Sequence, residues 1–234
     1  MYRILFVLLA FLSWQNYAQD NIDLDSLYKP DPHYLEDQFY FGLSYIALKN
    51  LPGNLEQNGF SNSVKFGYIR DIPMNERRNL GFGIGLGMAW DTYFQNLRIS
   101  IDEETGNVVY RILDDNDHFR SNSFTLTKIE IPFEFRWRGS TPTKFKFWRL
   151  YAGPVFSYVV STSSEYVNKN VDVIYKNIRI INTWQTGISV SVGYGTWNFN
   201  YYYGLRNIIK KDLTIEGEQF VLKDMRFGFV YYFL

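Results

Sequence analysis

Six charged residues occur in segments that otherwise alternate between large apolar and small side chains: Glu130, Glu134, Arg136, Arg149, Arg206 and Arg226. Successive side chains of a strand point to opposite faces, so the first three share the face opposite the apolar one. Charges removed from water need partners, which favours a structural salt-bridge network inside the fold. A polar site or a proton path is the alternative. Glu130 and Glu134 would lie about 13 Å apart along the strand, too far for a glycosidase pair.

An acidic run could supply oxygen ligands to a calcium ion: Asp114-Asp115-Asn116-Asp117-His118. The ligand spacing of an EF-hand is absent, so a solvated loop is the preferred interpretation and no metal site is predicted. Cation binding by this run stays open at the level of sequence.

Few residues could support catalysis. The histidines are His33 and His118, and the proximity of His118 to Ser121 and Ser123 in a loop does not make a triad. No nucleophile elbow occurs, and the alternate glycines at 81–87 lack the spacing of a dinucleotide-binding loop. The sequence therefore predicts no enzyme activity and no cofactor.

The segment 80–90 reads Leu-Gly-Phe-Gly-Ile-Gly-Leu-Gly-Met-Ala-Trp, a strict alternation that predicts a β-strand. One face carries large apolar side chains and the other carries almost none. This is typical of a membrane barrel, which has a lipid-facing outside and a narrow lumen. A buried strand of a soluble sandwich is the alternative. In the barrel, Leu86 faces lipid and Gly85 faces the lumen, where a small polar substitution such as Gly85→Ser should be milder than Leu86→Arg.

Eight segments alternate in this manner: 39–45, 64–68, 80–90, 129–137, 150–158, 184–194, 197–206 and 225–233. The connections between them alternate between short and long, as the periplasmic turns and outer loops of outer-membrane barrels do. A Greek-key sandwich has no reason for such alternation. The sequence thus predicts an all-β fold, a transmembrane antiparallel β-barrel of about eight strands. Segments 97–101 and 108–112 flank a turn-like cluster, so we expect an exposed hairpin beyond the outer leaflet.

Pro132 lies inside one of the alternating segments. Proline lacks the amide proton that a ladder hydrogen bond needs, so a β-bulge is predicted at this position. Local backbone strain is the alternative.

The chain begins like that of a secreted protein. Residues 1–19 have a basic start at Arg3, an apolar run at 4–12 and a polar end, which predicts a cleaved signal peptide. Residues 20–38 lack periodicity and contain Pro30 and Pro32, which predicts a periplasmic lead-in, and residues 39–234 form the outer-membrane β-barrel domain. No cysteine occurs, and no apolar run of about 18 residues follows the signal segment, so neither a lipid anchor nor a transmembrane helix is expected.

The charge of the chain is balanced. It has 24 basic and 24 acidic residues, and removal of the signal segment takes away Arg3 alone. A near-neutral protein has no electrostatic footprint for nucleic acid. The predicted partners are therefore outer-membrane lipid and, during biogenesis, the barrel-assembly machinery, with no nucleic acid.

Four motifs carry a family resemblance: Ile129-Glu130-Ile131-Pro132 before an alternating strand, Trp148-Arg149-Leu150-Tyr151-Ala152-Gly153-Pro154, Tyr203-Gly204-Leu205-Arg206-Asn207-Ile208, and the aromatic end 227–233. Together they resemble the PorT-like outer-membrane β-barrel family of Bacteroidota. The resemblance implies an outer-membrane barrel, and because some members are associated with type IX secretion and gliding, it implies secretion-system proteins as partners. The chain departs from most barrels by ending in Leu234 rather than an aromatic residue, so the assembly machinery would read Phe233 or accept Leu234.

The residues and the resemblance together predict a non-catalytic outer-membrane protein, a structural or accessory component of the cell envelope with a link to protein secretion. A small-solute channel or surface-binding barrel is the first alternative, and a loop-borne enzyme is the second. In the predicted topology both chain ends lie in the periplasm.

Overall fold

This computed structural model describes residues 37–51, 53–102, 104–139, 147–210, 214–215, 218–219 and 221–233. Its strands coincide with the segments in which large and small side chains alternate. The predicted signal peptide at 1–19, and the predicted lead-in apart from residues 37 and 38, lie outside these ranges. In chain order the strands are β1 (Gln38–Lys49), β2 (Asn62–Pro73), β3 (Leu80–Phe94), β4 (Leu97–Ile101), β5 (Val108–Ile112), β6 (Ser121–Arg138), β7 (Trp148–Val167), β8 (Asp172–Lys176), β9 (Trp184–Tyr194), β10 (Trp197–Gly204), β11 (Thr214–Ile215), β12 (Glu218–Gln219) and β13 (Lys223–Phe233). A 3₁₀ turn covers Asp115–Asp117. Within the described ranges, no helix is long and apolar enough to cross a membrane.

Eight of these strands close into an antiparallel barrel in the order β6-β3-β2-β1-β13-β10-β9-β7, and β6 pairs with β7 to complete the ring. Each predicted segment corresponds to one barrel strand. The all-β fold and the eight-stranded antiparallel barrel are therefore confirmed. Several strands are longer than predicted, above all β6 and β7, which both extend past one end of the barrel.

The registers fix the tilt of the strands. A path through paired residues runs once round the barrel: Tyr45, Phe227, Tyr201, Val190, Ala152, Phe135, Phe82 and Ile72. The path starts at Tyr45 on β1 and ends at Ile72 on β2. Ile72 lies three residues beyond Ile69, which pairs with Gln38 on β1, and Gln38 lies seven residues before Tyr45. The register therefore closes with a shift of ten residues. For eight strands this shift corresponds to a tilt of about 40° and to a lumen that side chains can fill.

The outer surface of the barrel is an apolar band between two aromatic girdles. Trp148 on β7 contacts Tyr194 on β9 with a ring separation of 5.7 Å, and ten residues further along the same strands Tyr158 contacts Trp184 at 5.0 Å. Ten residues of strand span about 33 Å, or about 25 Å when tilted by about 40°. This is the height of the apolar band of an outer-membrane barrel.

The two ends of the barrel differ in their connections. At one, the turn end, the β2–β3 and β9–β10 connections and the paired strand ends Arg138 of β6 and Arg149 of β7 lie at the same end as the first and last residues of the described barrel. The β9–β10 turn consists of Gly195 and Thr196, and Gly195 takes the positive φ of 63° that glycine tolerates. At the other, the loop end, four longer connections carry β4, β5, β8, β11 and β12. The predicted alternation of short and long connections is confirmed.

The loops at the loop end fold over the mouth of the barrel. Together with the strand ends at this mouth they form an apolar cluster, here called the cap cluster, made of Ile46, Leu55, Tyr93, Leu97, Ile99, Phe124, Leu126, Val159, Ile178, Ile180, Ile181, Ile208, Ile209 and Leu222. The predicted hairpin exists as β4 and β5, with Ile99 paired to Tyr110. Its expected full exposure is wrong, because Leu97 and Ile99 are each only 1% exposed and pack into the cap cluster.

Pro132 does not form the predicted bulge. It lies opposite Val155 in a regular register between β6 and β7, and the register shift occurs between Thr127 and Lys128 instead. A single missing amide proton interrupts one ladder hydrogen bond without requiring an extra residue. The Pro132 ring points inward and lines the lumen, where it fills space beside Gly85.

Leu86 and Gly85 lie on the predicted faces, since Leu86 is 60% exposed and Gly85 is buried. We expect Leu86→Arg to cost about 2–4 kcal/mol of folding free energy in a bilayer, because Leu86 lies near the middle of the apolar band. The matched control is Val109→Arg, which changes another exposed apolar residue, 47% exposed, on β5 outside the band. Heat-modifiable migration on gels measures the folded fraction. If the two variants fold equally well, Leu86 does not face the hydrocarbon of the bilayer.

The space around Gly85 is tighter than the sequence suggests, so Gly85→Ser should also be costly. A Cβ at Gly85 would lie 2.7 Å from the backbone oxygen of Tyr68 and 2.6 Å from a side-chain carbon of Ile69. Backbone cannot yield as a flexible side chain does, so overpacking should cost at least about 1–3 kcal/mol. In the same gel assay Gly85→Ser should fold less completely than Val109→Arg.

Candidate functional site

The lumen holds the densest group of charged side chains that the structure describes. Five carboxylates and six cations point into it from five barrel strands, and nearly all of them are buried. They fall into two groups along the barrel axis, which we call the outer tier and the inner tier. The outer tier, nearer the loop end, consists of Asp91, Lys128, Glu130, Asp224 and Arg226. The inner tier, nearer the turn end, consists of Asp71, Glu134, Arg136 and Arg138.

Asp91 is the centre of the outer tier. Its Oδ2 atom contacts Lys128 Nζ and lies 2.9 Å from Arg226 Nη2, so two cations share one carboxylate. Arg226 Nε also donates to Asp224 Oδ2 over 2.7 Å. Glu130 Oε1 completes the group, 3.8 Å from Lys128 Nζ and 3.6 Å from Arg226 Nη1. Each cation therefore has at least two carboxylate partners.

Aromatic side chains hold the outer tier in place. The Arg226 guanidinium lies over the Tyr202 ring, 4.3 Å from its centroid, and the Tyr93 hydroxyl donates to Asp224 Oδ2 over 3.3 Å. A cation over an aromatic face is attracted by the ring quadrupole, and more strongly where water is excluded. These contacts leave the tier little freedom to rearrange.

Arg136 organises the inner tier. Its Nε donates to Glu134 Oε2 over 3.0 Å, its Nη1 lies 3.5 Å from Asp71 Oδ1, and its Nη2 donates to Gln38 over 3.3 Å. The guanidinium also lies 4.4 Å from the centroid of the Tyr151 ring. Arg138 binds the other oxygen of Asp71, so that carboxylate joins two arginines.

A small cavity separates the two tiers. Its volume is about 20 Å³, and its walls include Tyr40, Lys65, Glu130, Glu134 and Tyr232. Such a volume holds about one water molecule. The Lys65 ammonium donates to Asn200 Oδ1 over 3.1 Å across the lumen. Among the described residues, ion pairs lie on both sides of this cavity and narrow the space that a solute would need.

Four of the six predicted network residues form the network as expected, namely Glu130, Glu134, Arg136 and Arg226. Arg149 also points into the lumen near the turn end, where its guanidinium lies 4.6 Å from the centroid of the Phe147 ring.

The prediction for Arg206 is wrong, because its side chain is exposed outside the lumen. β10 ends at Gly204, and the amides of Leu205 and Arg206 both approach the same carbonyl oxygen of Thr186. This irregularity breaks the alternation before Arg206, so the inward position that a continued strand would give is lost.

The sequence interpretation missed five network residues: Asp71, Asp91, Lys128, Arg138 and Asp224. Each has the same odd or even numbering as the inward residues on its strand. Asp71 lies three residues outside the segment that the alternation defined, and each of the others lies one residue outside. The signal was therefore present, and longer segments would have included them. Only the register between strands shows which charges meet.

The acidic run at the loop end uses its carboxylates internally. Asp114 Oδ1 accepts from the Asn116 amide over 2.9 Å, and Asp117 accepts from the Asp114 amide over 3.0 Å. Hydrogen bonds from the Arg111 guanidinium hold the pKa of the Asp117 carboxyl below its usual value. In the residues that the structure describes, no group of three or more potential metal-ligating side chains comes together.

The comparisons with known proteins agree with this architecture. A family model described as "Outer membrane protein beta-barrel domain" matches residues 17–210. The chain belongs to this outer-membrane β-barrel family. Membership places the barrel in the outer membrane with its apolar band against lipid.

No curated protein matches the chain. Among solved structures, this outer-membrane barrel is similar to the crystal structure of Ail, the attachment invasion locus protein of Yersinia pestis. The two chains share 10% sequence identity over 84% of this chain and 97% of Ail, with a TM-score of 0.32.

The carboxylate that two cations share in the outer tier can be tested by a double-mutant cycle. Asp91→Asn removes the closest carboxylate partner of Lys128 and one partner of Arg226 inside the lumen, so we expect a loss of about 3–5 kcal/mol in unfolding free energy. Adding Lys128→Gln removes the buried cation that lost this partner and should recover most of the loss. Urea unfolding in lipid vesicles, followed by tryptophan fluorescence, measures both.

The exposed Arg111–Asp117 pair provides the matched control for this cycle. Asp117→Asn removes a charge of the same kind from water-exposed surroundings and should cost no more than about 1 kcal/mol. If Asp91→Asn is equally mild, or if the second substitution makes it worse, the outer tier does not depend on the pairing of Asp91 with Lys128.

Proposed function

We propose that this outer-membrane barrel is a non-catalytic structural or accessory component of the cell envelope, of the PorT-like kind and linked to protein secretion. The observation that carries the proposal is the filled lumen. Both tiers of ion pairs lie across it, and the cap cluster lies over its mouth. An interior filled in this way supports a role that is carried by the surface of the barrel, its loops or its turn end.

The motifs that resemble the PorT-like family support the secretion link. The strand that contains Pro132 and the strand that begins at Trp148 are neighbours in the barrel, so two of the four motifs occupy one part of the wall. In this proposal residues 1–19 are a cleaved signal peptide, the turn end faces the periplasm, and the barrel-assembly machinery reads the strand that ends at Phe233. Secretion-system proteins would then bind at the periplasmic end or at the loops.

An enzyme is the weakest alternative. His118 lies at the end of the 3₁₀ turn with an exposed side chain, whereas Ser123 is buried on β6. A histidine must lie within hydrogen-bonding distance of a serine to activate it. This placement favours a structural role for the segment, and His33 lies outside the described residues.

The filled lumen should not conduct. Purified protein in planar bilayers is expected to show little steady conductance, because the cavity between the tiers admits about one water molecule. The double variant Asp91→Asn/Lys128→Gln, which keeps the volume of both side chains, is expected to stay closed as well. Large and stable open-channel currents from the unmodified protein would favour the small-solute channel instead.

Crosslinking in native outer membranes tests the accessory role. A photoreactive residue at Glu76, in the β2–β3 turn, samples the turn end, and one at Thr105, in the β4–β5 loop, samples the loop end. We expect a specific protein adduct of the secretion or envelope machinery at one of these positions. A barrel that crosslinks only to lipid and to the assembly machinery from both positions would contradict the proposal.

A further inference from the structure

The barrel wall opens where β7 changes partner. Below this point β7 pairs with β9 as far as Tyr158 and Trp184, and above it β7 pairs with β8 from Ser163 and Lys176 onward. The opening has a volume of about 250 Å³. We call it the wall pocket, and it is lined by Val159, Val160, Ser161, Thr162, Asn177, Ile178, Arg179, Ile181, Thr183 and Lys210.

Regular hydrogen bonds delimit the wall pocket. The Val159 amide donates to the Thr183 carbonyl over 2.8 Å at its lower edge, and the Asn177 amide donates to the Thr162 carbonyl over 2.9 Å at its upper edge. Between them Val160 is the extra residue of the β7 bulge, so Val160 and Ser161 both point outward. The pocket is therefore part of the ordered strand architecture and opens on the outer surface.

The wall pocket lies at the level of lipid headgroups. Tyr158 and Trp184 belong to the aromatic girdle nearer the loop end, and the pocket begins with the next residue of each strand. Aromatic girdles mark the two interfaces of the membrane. A ligand in this pocket would thus have the aqueous interface on one side and the apolar band on the other.

The charges of the wall pocket have one sign. Arg179 and Lys210 line it, the other polar lining residues are neutral, and no carboxylate is among the lining residues. Within the described part of the chain neither cation forms an ion pair. The Lys210 amide donates to the Ile180 carbonyl over 2.9 Å, which holds the two basic segments side by side.

We propose that the wall pocket binds the phosphate of an anionic membrane lipid. Arginine and lysine would bind the phosphate oxygens, and the hydroxyls of Ser161 and Thr183 add donors at the same site. A lipid suits the pocket better than free phosphate does, because Val160 is 46% exposed and continues the apolar band to the rim, where an acyl chain would lie.

Native mass spectrometry of the purified barrel can test this binding. The probes are phosphatidic acid and phosphatidylcholine with identical acyl chains, added in equal amounts to the detergent-solubilised protein. We expect one phosphatidic acid to bind at least about tenfold more strongly than phosphatidylcholine. Phosphatidic acid has a free phosphomonoester, whereas the phosphate of phosphatidylcholine is blocked by choline, and one additional charge-assisted hydrogen bond is worth about that factor. The double variant R179Q/K210Q should lose this preference, and R120Q/K169Q, which removes two exposed cations at the far end of β6 and β7, should keep it.

A second variant and a competitor complete the test. Ser161→Trp fills the pocket and leaves both cations in place, so it should also abolish the preference if the pocket itself binds the lipid. Inorganic phosphate in large excess should leave the lipid bound. The proposal is overturned if R179Q/K210Q and R120Q/K169Q behave alike while both migrate as folded barrels, if Ser161→Trp retains the preference, or if inorganic phosphate displaces the lipid.

Discussion

The narrow lumen is the constraint on which the rest of this barrel depends. Eight strands at a tilt of about 40° leave room for one layer of side chains, so a large residue on one strand needs a small one beside it. A Cβ at Gly67 would lie 2.6 Å from Cζ of Tyr40, and a Cβ at Gly83 would lie 3.0 Å from Nε of Arg136. The glycines on the inward face of β3 therefore make room for the large inward side chains of the neighbouring strands, and those side chains in turn require glycine there.

The same narrowness excludes water, and this makes the charges specific. A buried ion pair contributes little net stability but is costly to break, so its main effect is to penalise other arrangements. Arg138 on β6 meets Asp71 on β2, and Arg226 on β13 meets Asp91 on β3. A one-residue slip of any of these strands would turn its charge toward lipid and an apolar side chain toward the lumen. The ion pairs thus help to select the register with which the barrel closes.

The sequence predicted well what depends on alternation and poorly what depends on where alternation stops. Parity placed Glu130 inside and Leu86 outside, since it follows from strand geometry alone. Arg206 has the parity of an inward residue. However, the amides of Leu205 and Arg206 both approach the carbonyl of Thr186, so the regular ladder ends before Arg206. Asp91 lies one residue beyond the segment that was recognised, so a central network residue was missed. Strand ends are set by contacts with other strands and loops, which a local pattern does not contain.

The cap cluster was beyond prediction for a related reason. Its members come from all four long connections and from the ends of four barrel strands, and each connection alone shows only a short apolar run such as Ile208-Ile209. Their common burial depends on the ring closure that brings the four loops to one mouth. Pro132 shows that a local preference can also mislead. Proline favours a bulge, yet Pro132 lies in a regular part of the β6–β7 ladder, and the bulge occurs beside Lys128.

The position of that bulge connects the interior of the barrel to its surface. Lys128 directs its ammonium to Asp91 in the outer tier, and the register shift beside it turns both Val160 and Ser161 of β7 outward. At the same height β7 leaves β9 and joins β8, which lets the loops reach inward to build the cap cluster. The change of partner that lets the loops close the lumen therefore also opens the outer wall. A barrel filled with paired charges and covered by its loops has its accessible chemistry on the outside, and the outward-turned residues of this bulge lie where water, lipid headgroup and protein meet.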